Sequence, residues 1–322
     1  MSVILVTGGA GFIGSHVCEA LLKAGDSVIS LDSYNDFYDP QLKRSNTEAV
    51  MRTSEQYAGT CWIEEGDIRD GEFLNRLFAR YQIDSVIHLA AYAGVRPSIE
   101  NPELYVDVNI VGTTTLLEVM RAYGVKRHVF ASSSSVYGNN HKIPFNESDP
   151  VDKAISPYAA TKKAGEVLCY TYHHLYGINT ACLRFFTVYG PRQRPDLAIS
   201  KFMRLIEQGK PIPFYGDGLT ERDYTYIDDI VKGVLRALRW TETTESRYDI
   251  FNLGNSSPVS LNTLVETIES VMGKKAEREL YPLPPGDVNR TYADTRHANA
   301  VLDYDAATVL RDGLKRQWER YK

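Results

Sequence analysis

Tyr158 and Lys162 stand four residues apart in the stretch SPYAATKKAGE, and SSSSVYG, from Ser132 to Gly138, sets four hydroxyls in a row. On a helix, a spacing of four puts two side chains on one face, one turn apart. A free phenol titrates at about 10 and is a poor base at neutral pH until a nearby cation stabilises its phenolate. Lys162 supplies such charge, which makes Tyr158 a candidate general base. The same spacing also occurs in helices without catalytic use, and a serine run is by default a turn whose side chains bond their own backbone. The surroundings decide between these readings. Ser133 ends an apolar run that leads towards the Tyr158 helix, and in an open α/β sheet that carboxyl edge is where ligands bind.

A second group of residues points the same way. VILVTGGAGFIGSHV places Gly9, Gly11 and Gly14 in the GxGxxG spacing after an apolar run and at the start of a helical pattern, and Gly8, Gly11 and Gly14 give an alternative frame. Glycines there permit a tight turn and a close backbone approach to a pyrophosphate. The helix N-terminus, around Phe12 and Ile13, meets the pyrophosphate charge. Asp32, eighteen residues after Gly14, ends the second apolar run, where a carboxylate accepts hydrogen bonds from an adenosine ribose. It would repel a 2′-phosphate and no Arg immediately follows it, so the expected cofactor is NAD rather than NADP. Asp67 and Ile68, at the end of the third run, fit the adenine edge, with a helix cap as the other reading of Asp67.

The elements needed to position these residues are legible as short Val- and Ile-rich runs alternating with amphipathic segments. Strands are expected at 3–6, 27–31, 61–64, 85–88, 129–132 and 180–184, with helices near 14–24, 71–81, 104–123 and 157–176. This order predicts an α/β fold: a Rossmann-type doubly wound parallel sheet over residues 1–184, followed by a smaller C-terminal α/β substrate-binding lobe over 185–322. Pro- and Gly-rich clusters mark the second lobe, and the amphipathic stretch 227–238 is expected to return to the first, which part of 222–255 would join.

Composition narrows the function classes. The chain has 322 residues, 43% hydrophobic, with a formal net charge of -5. That charge and the lack of a basic run argue against a nucleic-acid partner. No apolar stretch approaches the roughly 20 residues of a membrane span, and the first residues lack a basic, cleavable leader, so the expected location is the cytoplasm. Cys18, Cys61, Cys169 and Cys182 are widely spaced without ligand-like partners, and reduced core residues are expected rather than a metal site.

Taken together, the glycine turn, HLAAYAGV, Asn109, SSSSVYG, Tyr158/Lys162, RFFTVYGPRQRPD and RDYTYIDD make the chain resemble the extended short-chain dehydrogenase/reductases, the nucleotide-sugar epimerases and dehydratases. The resemblance implies that Tyr158 is the catalytic base, that Lys162 orients it and binds the nicotinamide ribose, and that Ser133 bridges Tyr158 and the substrate hydroxyl. It adds Leu89, Ala90, Ala91 and Asn109 to the cofactor contacts and implies a homodimer formed through the helices near 104–123 and 157–176. Dehydratases and decarboxylases of the family normally carry an acid where this chain has Ser134 and Ser135. Galactose-type 4-epimerases usually have Asn at Thr187 and Arg at Pro284. These departures, with NDFYDPQLKRSN, look like the UDP-glucuronate 4-epimerases, with UDP-glucose epimerisation as the alternative and decarboxylation behind it. On that reading Ser133, Ser134, Ser135 and Thr187 offer neutral donors to a sugar carboxylate. Arg194 and Arg222 meet the diphosphate of a UDP-sugar, or else sit at the rim bonded to local carboxylates. Arg96 either approaches the substrate or is structural.

Overall fold

The computed structural model describes residues 1–283 and 288–321. Its first part runs β1 (Val3–Thr7), α1 (Phe12–Lys23), β2 (Ser27–Asp32), α2 (Pro40–Ser54), β3 (Cys61–Glu65), α3 (Gly71–Arg80), β4 (Ser85–His88), α4 (Val95–Glu100), α5 (Pro102–Val106), α6 (Thr113–Ala122), β5 (Arg127–Ser133), α7 (Pro157–Tyr176) and β6 (Asn179–Phe185). The rest runs β7 (Thr187–Tyr189), α8 (Ala198–Glu207), β8 (Ile212–Tyr215), β9 (Glu221–Tyr226), α9 (Ile227–Trp240), β10 (Tyr248–Leu253), β11 (Pro258–Ser260), α10 (Leu261–Met272), β12 (Arg278–Tyr281), α11 (Arg296–Leu302) and α12 (Leu310–Tyr321).

Seven parallel strands form the main sheet in the order β10-β6-β5-β4-β1-β2-β3. Both faces are covered, which is why these strands read as near-continuous apolar runs. One face carries Ile4, Val6, Val129, Ala131 and Leu183 against α1 and α9. The other carries Leu5, Ile29, Val86, Phe130 and Cys182 against α3, α6 and α7. A Cβ at Gly165 would lie 2.3 Å from the Phe130 ring, so the glycine lets α7 rest directly on β5. Residues 227–253 return to this sheet: α9 packs on β5 and β6, and β10 pairs in parallel with β6. The remaining strands form the small sheets β11-β9-β7 and β12-β8 beside α8, α10 and α12.

The helix expected over 104–123 is not continuous. Between α5 and α6 the chain makes a π-helical turn, Asp107–Gly112. Such a turn takes in an extra residue. Here it faces Asn109 inward, and it brings Gly112 so near Ile68 that a Cβ would lie 2.7 Å from the Ile68 side chain.

Candidate active site

A cleft of about 500 Å³ opens at the carboxyl ends of the main strands. At the tip of β1 it is walled by Gly8, Gly11, Phe12, Ile13 and Gly14. Gly8 has φ +72° and abuts Ala90, while a Cβ at Gly14 would lie 2.0 Å from the Gly8 carbonyl oxygen, so neither position admits a side chain. Gly9 faces Ser30 instead, with a Cβ there falling 2.3 Å from the hydroxyl oxygen. The cleft therefore uses the frame Gly8, Gly11, Gly14. The N-terminus of α1 has no side-chain cap, so its N–H groups and dipole suit an anion at the cleft wall.

Asp32, buried at the end of β2, accepts from the backbone N–H groups of Ala10 at 3.2 Å and Tyr34 at 3.0 Å. Burial raises its pKa, opposed first by Lys43 and then by these N–H groups. Lys43, at 3.8 Å, escaped the sequence reading because it stands on the next helix, although its place one turn into the PQLKR segment was visible. Its ammonium also donates to Asn35, at 2.8 Å to the side-chain oxygen. Asp67 and Ile68 line the cleft just beyond β3. Asp67 does not cap α3, a role taken by Asp70, whose side chain accepts from the Phe73 N–H at 2.9 Å. Instead a hydrogen bond from Arg69 holds the Asp67 carboxyl below the usual carboxylate range. Leu89, Ala90 and Ala91 form the wall after β4. Asn109 stands behind that wall rather than in it. Its amide both accepts from Tyr92 N–H at 2.9 Å and donates to Tyr92 C=O at 3.0 Å, and it donates to Thr161 at 3.0 Å, which fixes the loop.

The reacting end lies beyond β5, where Ser133, Tyr158 and Lys162 share the cleft wall. Ser156 caps α7 by accepting from the Ala159 N–H, and Pro157 occupies its first position, which places Tyr158 in the opening turn. Ser133 and Tyr158 are neighbours on the cleft wall, and the Ser133 hydroxyl is engaged by Ser135 at 3.1 Å. Burial raises the Tyr158 pKa, while the nearby Ser133 hydroxyl and the charge of Arg194 oppose it. Lys162 donates to the Ala131 carbonyl at 2.7 Å, and burial lowers its pKa to about 8.

The serines divide. Ser132 lines the cleft, while its hydroxyl turns to α7 and donates to Glu166 at 2.7 Å. Ser134 and Ser135 fall in a 3-10 turn, Ser134–Tyr137, and do not line the cleft; the N–H and hydroxyl of Ser135 both bond Ser133, capping that turn. Thr187 and Arg194 do line it. Arg194 is held by Asp196 at 2.6 Å and lies over Phe37 at 4.9 Å. Arg222 and Arg96 are not on the cleft wall. Arg222 lies on β9, where it donates to the Glu221 carbonyl, and Arg96 lies on α4 over the ring of Tyr215 at 4.7 Å. Pro284 falls outside the described residues. Among the described residues, the carboxylates lining the cleft are Asp32 and Asp67. Three strand spacings, about 14 Å, separate Asp32 from the tip of β5.

The glycine cradle, Asp32 and the uncapped α1 N-terminus fit an NAD molecule laid across the strand ends towards Tyr158. Comparison with known proteins agrees. UDP-glucuronate 4-epimerase of Thermodesulfobacterium geofontis is 46% identical over 317 residues, covering 98% of this chain and 95% of that protein. The crystal structure of UDP-glucuronic acid 4-epimerase from Bacillus cereus in complex with UDP-glucuronic acid and NAD superposes with a TM-score of 0.90 at 36% identity, covering 99% of this chain and 98% of that one. UDP-glucose 4-epimerase of Thermotoga maritima, solved with UDP-glucose, gives 0.88 at 32% identity, again covering 99% and 98%. A family model matches residues 4–254, which include the cradle, the Tyr158/Lys162 helix and the returning strand β10, and on these grounds the chain belongs to the NAD dependent epimerase/dehydratase family.

Proposed function

We propose that the protein interconverts UDP-glucuronate and UDP-galacturonate by inverting C4″ of the sugar. The carrying observation is the reacting end of the cleft. Tyr158, Ser133 and Lys162 meet there beside Thr187 and Arg194, and the cleft carboxylates of the described residues lie towards the other end. That arrangement supplies a base for oxidising a ring hydroxyl and no acid for expelling water.

Tyr158, as phenolate, takes the C4″ hydroxyl proton through Ser133. Its raised pKa makes this step depend on added positive charge, which Lys162 provides once its ammonium turns from Ala131 to the cofactor ribose and the phenol. NAD, when bound, supplies the acceptor that takes a hydride from C4″ and returns it. The 4-keto sugar rotates between these steps, and return of the hydride to its other face inverts the centre with no net redox change. With a uronate this intermediate is a β-keto acid, which loses carbon dioxide most easily when the breaking C–C bond aligns with the carbonyl π system. Ser133 and Thr187 hold the carboxylate out of that alignment by neutral hydrogen bonds, and Arg194, anchored by Asp196, adds a nearby cation.

Proton NMR of UDP-glucuronate incubated with purified protein and no added cofactor tests the reading: growth of UDP-galacturonate signals is expected, and an unchanged spectrum refutes it. UDP-glucose is the competing substrate, favoured by the Thermotoga relative, and competition between the two sugars separates them. We further propose a homodimer built on α5, the π-helical turn, α6 and α7, whose outward faces expose Val106, Val111, Val167, Tyr170 and Leu175. Light scattering measures its mass. The cytoplasm suits the chain's four free, buried cysteines. Among the described residues no helix is long and apolar enough to cross a membrane.

A further inference from the structure

Beneath the reacting residues lies an ion pair that the mechanism does not use. Arg184 on β6 and Glu166 on α7 are both almost wholly enclosed, and they meet through two bonds, Nε to Oε1 at 2.8 Å and Nη2 to Oε2 at 2.9 Å. Lys163 adds a contact to Glu166 at 3.3 Å. A buried pair of this kind is weak evidence for stability, since desolvation offsets much of the attraction and apolar replacements are often no less stable. Its placement suggests another use.

Tyr158, Lys162 and Glu166 follow one another at intervals of four on α7, so they share a face, with Glu166 about 12 Å along the axis from Tyr158. That face meets three successive residues of β5. Lys162 bonds the Ala131 carbonyl, Glu166 accepts from Ser132, and Tyr158 stands beside Ser133 on the cleft wall. Gly165 and Phe130 set how closely the helix lies on the strand, but their contact leaves sliding along the strand open. Arg184 stops it, because its cross-strand partner in the sheet is Ser132 itself. The same guanidinium donates to the Tyr137 hydroxyl at 2.9 Å, and Tyr137 in turn donates to Asn252 on β10 at 2.7 Å. Tyr137 closes the turn that begins at Ser134. One side chain thus ties the helix bearing Tyr158 and Lys162 to the turn that fixes Ser133.

We propose that Arg184 and Glu166 are positioning residues, which hold the Tyr158 phenol in register with Ser133 and so set turnover rather than substrate affinity. The proposal rests on the epimerase reading for its assay. A misplacement of about 1 Å far from the chemistry can cost on the order of 100-fold in rate.

Three variants test it, each assayed beside wild type for NAD content, UDP-glucuronate affinity by calorimetry, kcat and Tm. Ser132→Ala cuts the strand's bond to Glu166 and leaves the ion pair intact; a fall in kcat of about threefold or more is expected, with affinity unchanged within threefold. Glu166→Gln keeps the shape and loses the charge; a fall of about 30-fold or more is expected. The double variant Glu166→Met/Arg184→Met leaves no lone buried charge, so it is expected to fold with a Tm near wild type and still show the kcat loss, which a merely structural pair would not produce. A folded double variant with kcat within threefold of wild type overturns the proposal, as does a parallel fall of kcat and affinity in Ser132→Ala. If Glu166→Gln does not fold, the other two variants decide. An inactive wild type sinks the epimerase reading instead, so the two failures are told apart.

Discussion

Lys162 gives its ammonium to the carbonyl oxygen of Ala131 at 2.7 Å, two strand residues before Ser133, which shares the cleft wall with Tyr158. The charge that must assist the phenol is therefore stored on the strand beside it. Burial has already brought the Lys162 pKa to about 8. Below that pH the ammonium is present, and above it the charge is progressively lost. In protein stripped of cofactor, NAD affinity is expected to weaken by up to about tenfold per pH unit above 8, and Lys162→Met to bind weakly at every pH with a flat profile. Titration of NAD fluorescence quenching between pH 6.5 and 9.5 measures it; an equally sloped Lys162→Met profile would assign the dependence to another group.

Tyr158→Phe removes the base while leaving the cradle intact. Bound NAD should persist and turnover should fall by roughly two to three orders of magnitude, the usual contribution of a general base. Near-normal turnover would take Tyr158 out of that role.

Asp32→Ala removes both the ribose acceptor and the charge that repels a 2′-phosphate, and it leaves Lys43 beside the vacated position. The preference for NAD over NADP should shrink by about tenfold or more, by an amount larger than removal of an acceptor alone explains because a cation remains. Binding titrations with both cofactors settle it, and an unchanged ratio would reassign Asp32 to loop structure.

Thr187→Val and the pair Ser134→Ala/Ser135→Ala should differ. Thr187 lines the cleft, so its loss is expected to weaken UDP-glucuronate by about 10-fold relative to UDP-glucose, in keeping with a hydrogen bond to a charged group. Ser134 and Ser135 lie in the capped turn, and their joint replacement should weaken both sugars alike. Competition assays with the two sugars distinguish these outcomes, and an equal effect of Thr187→Val on both would show that Thr187 does not read the carboxylate.

Buried His128 and half-buried His16 make the fold sensitive to acid. Burial lowers His128 to about 3 and, with help from Arg192, His16 to about 4. Above pH 6.5 each is neutral whether folded or unfolded, and stability is full. As pH falls below 6.5 the unfolded chain takes up protons that the folded one refuses, so stability is lost until the folded pKa is reached. His128→Leu should lose about 1–3 kcal/mol less between pH 6.5 and 4 than wild type, each unit of depression being about 1.4 kcal/mol. Urea midpoints at several pH values test this, and parallel profiles would exonerate His128.

Much of the fold was legible because parallel strands covered on both faces leave uninterrupted apolar runs, and α7 shows the same clarity: Ser156-Pro157 opens it and Gly177, at φ +65°, closes it. The glycine turn was readable for a related reason, since Gly8 and Gly14 admit no side chain, although spacing alone left the frame open between Gly8 and Gly9. What stayed hidden depends on contacts between distant segments. Nothing local marks the π-helical turn at Asp107–Gly112, which answers to Tyr92 and Ile68. Nor does local sequence reveal that the Ser132 hydroxyl turns to Glu166, or that Lys43 comes back to Asp32. Arg96 and Arg222, read as substrate contacts or as rim and structural residues, lie off the cleft wall, Arg96 over the Tyr215 ring and Arg222 bonded to the Glu221 carbonyl.

The return of β10 to the main sheet bears on how the chain is made. Until it arrives, β6 is the outer strand, with Ala181, Cys182 and Leu183 fully enclosed only in the finished molecule. A ribosome adding about 5–20 residues per second completes β6 several seconds before it completes β10. During that interval the nascent sheet presents an apolar, hydrogen-bond-hungry border of the kind that recruits other chains. Chains ending at residue 226 should therefore aggregate on synthesis, while those extended to 254 should carry a closed border.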